Sequence, residues 1–387
     1  MRGGLSLKSA NKASNVIFLL LIFIMIAGMG IAILLKPQKS FSERENRSLQ
    51  VFPSLSFSSA LSGEFSRCLS SFYSDQLPLR DELGYLYSLT ELSMGKQECN
   101  GVFVCERSVF VQLPSKSAGE GEILKNNLLS AEELQKRTDA VCFWVPRSSD
   151  VFAEQMPESL RELSSETVGA SNCKLTERML NELSREEDPS EYYYRTDHHW
   201  ATKGAYKAYT LLASELGYEP YGESFFQTET VATDFLGTSF SRTALPKNVA
   251  APDSIVLYRY DRDRYVTVTD RANKNAPLAM YDFSALDGYD KYRVFLGGNH
   301  AHISVELPPV AQEKRDKLLV VKDSFANSLI PFLALHFDLE VIDPRYATAS
   351  QMRELCEQED LEKILVLCSL DTLSTERTVG RFLDIID

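Results

Sequence analysis

Residues 318–371 read LLVVKDSFANSLIPFLALHFDLEVIDPRYATASQMRELCEQEDLEKILVLCSLD, and their pattern decides the fold. LLVV (318–321), LEVID (339–343) and KILVLC (363–368) are short apolar runs. Runs of that length, bounded by polar residues, read as buried strands. Between them, residues 325–337 and 350–362 carry helical spacing. Strand-helix-strand-helix-strand with continuous apolar strands predicts a parallel sheet covered by helices on both faces. Ligands of such sheets sit at the carboxyl ends of the strands. Three polar sequences fall there: Lys322-Asp323-Ser324, Asp343-Pro344-Arg345 and Ser369-Leu370-Asp371.

Upstream, residues 220–290 hold runs such as SIVLYRY and RYVTVTD, which predict a strand-rich insertion. Residues 202–216 predict a helix. Thr202 can cap it, Tyr206, Tyr209, Leu212, Ala213 and Leu216 share a face, and Gly217 ends it. Residues 171–185 and 116–137 also read as helices, and AVCFWV contains a short strand at 141–145, stopped by Pro146. Asn100-Gly101 is a hairpin signal ahead of VFVC and SVFVQL. Apolar residues at helical spacing over 60–95 follow a polar, Ser-rich stalk at 36–60. There are no internal repeats. The α/β region therefore spans 96–387.

Residues 16–35, VIFLLLIFIMIAGMGIAILL, carry no charge. Such a run of about 20 residues can span a bilayer as a helix. A cleaved signal peptide would need a shorter core and a small-x-small cleavage site. Here Lys36-Pro37 follows directly, so an uncleaved anchor is expected. Lys and Arg flank it on both sides: Arg2, Lys8 and Lys12 before, Lys36, Lys39, Arg44 and Arg47 after. Charge thus gives no clear orientation. A long domain translocates largely regardless of charge. The expectation is a single-pass protein with a short cytoplasmic tail at 1–15 and an extracytoplasmic main domain.

The whole chain has 387 residues, with 41 Lys and Arg against 54 Asp and Glu, a net charge of −13. Hydrophobic residues make up 44 % and charged residues 25 %, which argues against disorder. The acidic balance argues against a nucleic-acid partner, which needs clustered cations. Seven cysteines exclude a fully paired set within one chain. Cys142 and Cys368 lie in strand-like runs and read as buried hydrophobes, whereas Cys99 and Cys105 flank a turn and could pair. No CxxC zinc spacing occurs.

Ser324 stands at a strand-to-helix junction, where partial positive charge gathers. That suits a nucleophile whose attack creates an oxyanion, and equally a simple helix cap. A serine nucleophile needs a base. Four of the five histidines lie in two clusters, Asp197-His198-His199-Trp200 and Gly297-Gly298-Asn299-His300-Ala301-His302. An Asp beside a His can hold the ring's tautomer and stabilise its cation. The same residues could instead form a hydrogen-bonded turn. A third reading is a metal site built from Asp197, His198, His199, His300 and His302. Gly297-Gly298 could let the backbone approach a ligand, Asn299 could donate to it, and Arg345 could pair with an anion.

YYRTDHHWATKGAYKAY (193–209) resembles the signature of the DHHW family, membrane-anchored bacterial proteins related to SGNH-type alginate O-acetyltransferases. The resemblance continues through FLGTSFSR (235–242), KYRVFLGGNH (291–300), VVKDSFANSLIPFL (320–333) and VIDPRY (341–346), with ENRSL and FYSDQLPLR nearer the anchor. It implies an SGNH hydrolase-like α/β fold with permuted motif order. It implies Ser324 as nucleophile, His199 as base and Asp197 as its orienting partner. Lys322-Asp323-Ser324 stands where SGNH enzymes have Gly-Asp-Ser, and Ser369 where they place an oxyanion Asn. Asn299, or the Ser324 N–H with Arg345, would then serve the oxyanion, with His198 and Trp200 beside the substrate. The expected function is a membrane-anchored O-acetyltransferase or acetylesterase acting on a cell-surface glycan. It would use an acyl donor and no cofactor or metal, with a multipass membrane O-acyltransferase as partner. Two other classes stay open: a non-catalytic glycan-binding or envelope scaffold protein, and a metal-dependent hydrolase using both His clusters.

Overall fold

The computed structural model describes residues 4–42, 47–114, 119–308, 315–356 and 363–385. Four sequence readings run partly outside these residues: the tail at 1–3, the stalk at 43–46, the first turn of the 116–137 helix and the second half of the 350–362 helix. The chain divides into two units, Met1–Thr90 and Glu91–Asp387.

In the first unit, one helix, Gly4–Leu35, is long and apolar enough to cross a membrane, with Ser14–Ile33 as its apolar window. It stops just before Pro37, because a proline ring disfavours helical backbone in the residue ahead of it. Phe41–Ser42 and Arg47–Ser48 then pair antiparallel. Helices Phe57–Leu61, Glu64–Asp75 and Arg80–Ser93 follow. Gly63, with φ of +75°, makes the sharp turn between the first two of them.

The second unit opens with a small antiparallel sheet of Glu98–Cys99, Val102–Val104 and Phe110–Gln112. Asn100 and Gly101 both take positive φ, 51° and 78°, as a two-residue type I′ hairpin requires. Cys105 is a free thiol, so the pairing considered for Cys99 is not made.

Among the described residues the central sheet has seven strands. Asp338–Ile342, Lys317–Lys322, Lys363–Ser369 and Val141–Val145 lie side by side and parallel, in that spatial order. These are the apolar runs read from the sequence, and most of their side chains are buried. The sheet as a whole is mixed, which corrects the expectation of a parallel one. His302–Glu306 pairs antiparallel with Asp338–Ile342, and Thr267–Asp270 and Ala276–Leu278 extend that edge, also antiparallel. Only residues 307–316 lie between the His302–Glu306 and Lys317–Lys322 strands. A parallel crossover needs a dozen residues or more, so the strand enters in the opposite direction. The expected insertion is therefore not separate. Its first half is a bulged hairpin, Gln227–Phe235 with Asp253–Arg259, and its second half is sheet edge.

Two local readings also change. The helix expected over 325–337 is a 3-10 turn, Ser324–Ser328, followed by a short helix, Ile330–Leu333. Pro331 has no N–H to return to the Asn327 carbonyl, so one continuous α-helix cannot close. Helix Thr202–Leu216 has the expected bounds, and Gly217 ends it with φ of +71°. Its N-cap is Ala201, however. The Thr202 hydroxyl is drawn away to the Val256 carbonyl, a tertiary partner that outcompetes the cap. Helix Lys174–Leu183 lies within the expected 171–185, and helix Glu158–Ser171 was not foreseen.

Candidate active site

Three strand ends meet at one edge of the parallel strands. Ser324 follows the 317–322 strand, Asp343 follows 338–342 and Ser369 closes 363–369. Asp323 ties two of these ends together. Its Oδ1 accepts from the Phe325 N–H at 3.0 Å and its Oδ2 from the Ser369 N–H at 2.7 Å. Burial alone would raise the Asp323 pKa. The Arg345 charge and the donors from Ser369 and Thr372 hold it below the usual range. Ser324 thus heads its 3-10 turn, where first-turn N–H groups lack partners within the helix.

The loop that faces Ser324 is closed at its base. Tyr193 and Trp200 form an isolated bridge, and the Ala201 N–H donates to the Tyr192 carbonyl at 2.8 Å. Gly204 makes this closure possible, since a Cβ there would sit 2.2 Å from the Tyr192 oxygen. Asp253 braces the loop's entry by accepting from the Thr196 N–H (2.8 Å) and hydroxyl (2.6 Å) and from the Arg195 N–H (3.2 Å). Trp200 is fully buried, and its indole N–H is shared between the Phe325 carbonyl and Ser328 Oγ, both at 2.9 Å. That corrects the placement of Trp200 beside the substrate. It joins the loop to the serine's own helix.

At the loop's tip, His199 Nε2 lies 2.8 Å from Ser324 Oγ and His199 Nδ1 lies 2.6 Å from Asp197 Oδ1. A carboxylate only accepts, so Nδ1 carries the proton and Nε2 presents its lone pair to the serine hydroxyl. All of Asp197's acceptor capacity is engaged. Oδ1 also accepts from the His199 N–H (3.0 Å), and Oδ2 accepts from the Thr238 N–H (2.7 Å) and hydroxyl (2.9 Å). Burial would raise the Asp197 pKa, but the two neighbouring imidazoles and these donors hold it well below the carboxylate range. Gly237 permits the approach, because a Cβ there would lie 2.2 Å from Asp197 Cβ.

His199 is held between two rings. Tyr292 stacks on one face at 4.0 Å and 8°, and His198 lies on the other at 3.9 Å and 37°. The Tyr292 hydroxyl reaches the Ser324 carbonyl at 3.2 Å. His198 Nδ1 sits 2.7 Å from the Thr238 hydroxyl. That hydroxyl spends its proton on Asp197, so His198 donates from Nδ1 and keeps Nε2 as an acceptor. Burial, then the His199 charge, pushes the His198 pKa down to about 4. It is neutral at physiological pH.

The remaining expected site residues form a second network. Lys322 is buried, and its Nζ donates to Asn327 Oδ1 (2.7 Å) and Asn299 Oδ1 (3.1 Å), with Asp343 Oδ2 at 3.6 Å. Asn327 Nδ2 also donates to Asn299 Oδ1 at 3.1 Å. Asn299 therefore has its oxygen turned inward, which turns its NH₂ outward. Arg345 grips Asp343 with Nε (2.9 Å) and a terminal nitrogen (2.7 Å). The Ser369 hydroxyl accepts from the Thr372 N–H and caps a helix.

The structure does not join the two histidine clusters. Among the described residues, Asp197, His198 and His199 form the one group spaced for a metal ion. His300 instead bonds the Leu296 carbonyl, and His302 bonds Glu340 at 2.7 Å. Both ring nitrogens of His199 are already engaged, with Asp197 and Ser324, so a metal ion there would have to displace one of them. A hydrolase using both clusters is not supported.

Sequence reasoning gave no role to Gly237, Thr238, Tyr292, Asp253 or Asn327. The first three lie in FLGTSFSR and KYRVFLGGNH, whose local spacing carries no sign of the partners they find.

Residues 167–342 match the family model described as DHHW protein. A DHHW family protein from Eubacterium siraeum aligns at 21 % identity and a TM-score of 0.55, over 73 % of this chain and 95 % of that one. Bacillus cereus PatB1 aligns at 18 % identity and 0.54, over 72 % and 98 %. PatB1 bearing a sulfonyl adduct aligns at 16 % and 0.53 over the same shares. These likenesses show a shared fold. No curated protein matches the sequence.

Proposed function

Proceeding from the DHHW match, we propose that this protein is an O-acetyltransferase, or an acetylesterase, of the SGNH-like kind, acting on a cell-surface glycan. The observation that carries the reading is the line Ser324 Oγ, His199 Nε2, His199 Nδ1, Asp197 Oδ1, with hydrogen-bond steps of 2.8 and 2.6 Å. In the first half-reaction Ser324 Oγ attacks the carbonyl carbon of an acyl donor while His199 Nε2 takes its proton. Asp197 stabilises the imidazolium. His199 then gives the proton to the departing group, leaving acyl-Ser324. In the second half a hydroxyl of the acceptor attacks, His199 takes that proton, and Ser324 leaves with it. The Ser324 N–H and the outward Asn299 amide are suited to meet the oxyanion. His198 Nε2, with its free lone pair, is suited to hold an acceptor hydroxyl. Arg345 and Ser369 act at one remove, through Asp343 and Asp323. Transfer prevails over hydrolysis only if the acceptor hydroxyl is held in place while water is kept out.

Helix Gly4–Leu35 would anchor the protein in one pass, with the larger unit outside the cytoplasm. A multipass membrane O-acyltransferase that delivers acyl groups across the bilayer would be the fitting partner.

The test is mass spectrometry of the full chain after reaction with p-nitrophenyl acetate. An acetyl group on Ser324 is expected, absent in Ser324→Ala and strongly reduced in His199→Gln, which lacks the base that activates Ser324. An adduct elsewhere, or turnover unaffected in Ser324→Ala, removes the enzymatic reading. Glycan binding with no adduct would favour the scaffold alternative.

A further inference from the structure

The first unit carries a surface that no step of acyl transfer uses. From Ser48 to Gly63 the chain has no charged residue. Leu49 is buried, but from residue 51 on the large apolar side chains face outward: Val51 is 41 % exposed, Phe52 49 %, Leu55 70 %, Phe57 86 % and Leu61 81 %. Phe57 and Leu61 are four apart on helix Phe57–Leu61 and share its face. Contiguous exposed apolar surface on a folded chain marks a site of contact.

Hydrogen bonds place this strip at the end of the apolar helix. The Phe52 N–H donates to Gln38 Oε1 at 2.9 Å. Gln76, buried, accepts from the Lys39 N–H at 3.1 Å and donates to the Lys39 and Gln50 carbonyls at 2.8 and 3.0 Å. Residues 50–52 are thereby pinned against residues 38–39. Gln38 is three residues past Leu35, the helix's last residue, and so within about 10 Å of it by chain reach. Phe52 also packs edge-on against the buried Phe72 at 5.3 Å, so the strip is fixed to the helix behind it.

We infer that residues 51–61 lie in the boundary between headgroups and acyl chains of the bilayer that helix Gly4–Leu35 crosses. They form a second membrane contact beside the anchor. The inference rests on the anchor reading. Aromatic and apolar side chains without charge are what that boundary accepts, and Lys36 and Lys39 flank the strip at the level of anionic headgroups. A strip held there fixes the first unit against the membrane surface, which a single spanning helix alone leaves free to swivel.

The full chain in phosphatidylcholine–phosphatidylglycerol vesicles tests this with two tryptophan reporters, Phe57→Trp and Phe23→Trp. The two native tryptophans, Trp144 and Trp200, are buried and supply a constant background. Lipids brominated near the carbonyl end of their chains are expected to quench roughly half of the Phe57→Trp emission, since interfacial side chains sit at that depth. Lipids brominated near the chain ends should quench it less. Phe23→Trp, at the middle of the span, should show the opposite order. If Phe57→Trp is unquenched while Phe23→Trp is quenched, the anchor stands and the inference falls. Red emission would then mean water covers the strip, and blue emission that protein does. If Phe23→Trp is unquenched, the anchor reading itself fails.

Discussion

The imidazole of His199 is useful as a base only in the tautomer that Asp197 imposes, and Asp197 is held by donors from Thr238. Gly237→Ala tests that support without touching a reacting atom. Its new Cβ would fall 2.4 Å from Asp197 Oδ2, so the carboxylate must move. Misplacements of about 1 Å cost up to roughly 100-fold in rate. A fall in kcat of about 10–100-fold is expected at little-changed KM, measured with an acetyl ester. Wild-type kcat would show that Asp197 does not position His199. A second residue-scale effect concerns pH. Burial, then the Arg315 charge, pushes the His336 pKa down to about 4, and its Nε2 meets the Tyr209 hydroxyl at 2.7 Å. The unfolded chain protonates this group at about 6.5, so between those values it binds more protons than the folded chain. The stability from His336 is thus present above about pH 6.5 and lost as pH falls through about 4, by about 1–3 kcal/mol. Denaturant melts across that window should be flatter in His336→Phe, and an unchanged slope would contradict the assignment.

At the scale of elements, the site depends on two segments meeting, the 193–200 loop and the 324–328 turn. Trp200 is the side chain that joins them. Trp200→Phe leaves the Phe325 carbonyl and Ser328 hydroxyl without that donor in a buried place, and it removes volume as well. A loss of about 2–4 kcal/mol is expected in urea unfolding. A smaller loss than that of a surface substitution would mean the join is made elsewhere. The elements themselves were differently legible. The parallel strands were plain, because burial on both faces writes itself as an unbroken apolar run. The antiparallel edge was not, because a strand's direction depends on what it pairs with. Residues 325–337 have helical spacing throughout, yet Pro331 and the side-chain bonds of Asn327 break the helix.

For the whole molecule, the anchor reading makes a statement about sides. Cys68 in helix Glu64–Asp75 is half-buried and carries a free thiol. A membrane-impermeant maleimide added to intact spheroplasts should label the Cys68 peptide. Labelling only after lysis would place the body in the cytoplasm.

Residue types and their order were enough to mark an α/β chain, an apolar helix near the N-terminus, and Asp197, His199 and Ser324 as the residues to watch. Periodicity and motif spacing are local properties, and a linear chain displays them openly. Only tertiary structure decided that His199 and Ser324, 125 positions apart, lie within a hydrogen bond. It also decided that Trp200 is spent inside the fold, that Gly237 and Thr238 pack against and hold Asp197, and that Tyr292 stacks on the imidazole. Each of those contacts joins segments far apart in the chain, and no local pattern encodes which distant partner a side chain will meet.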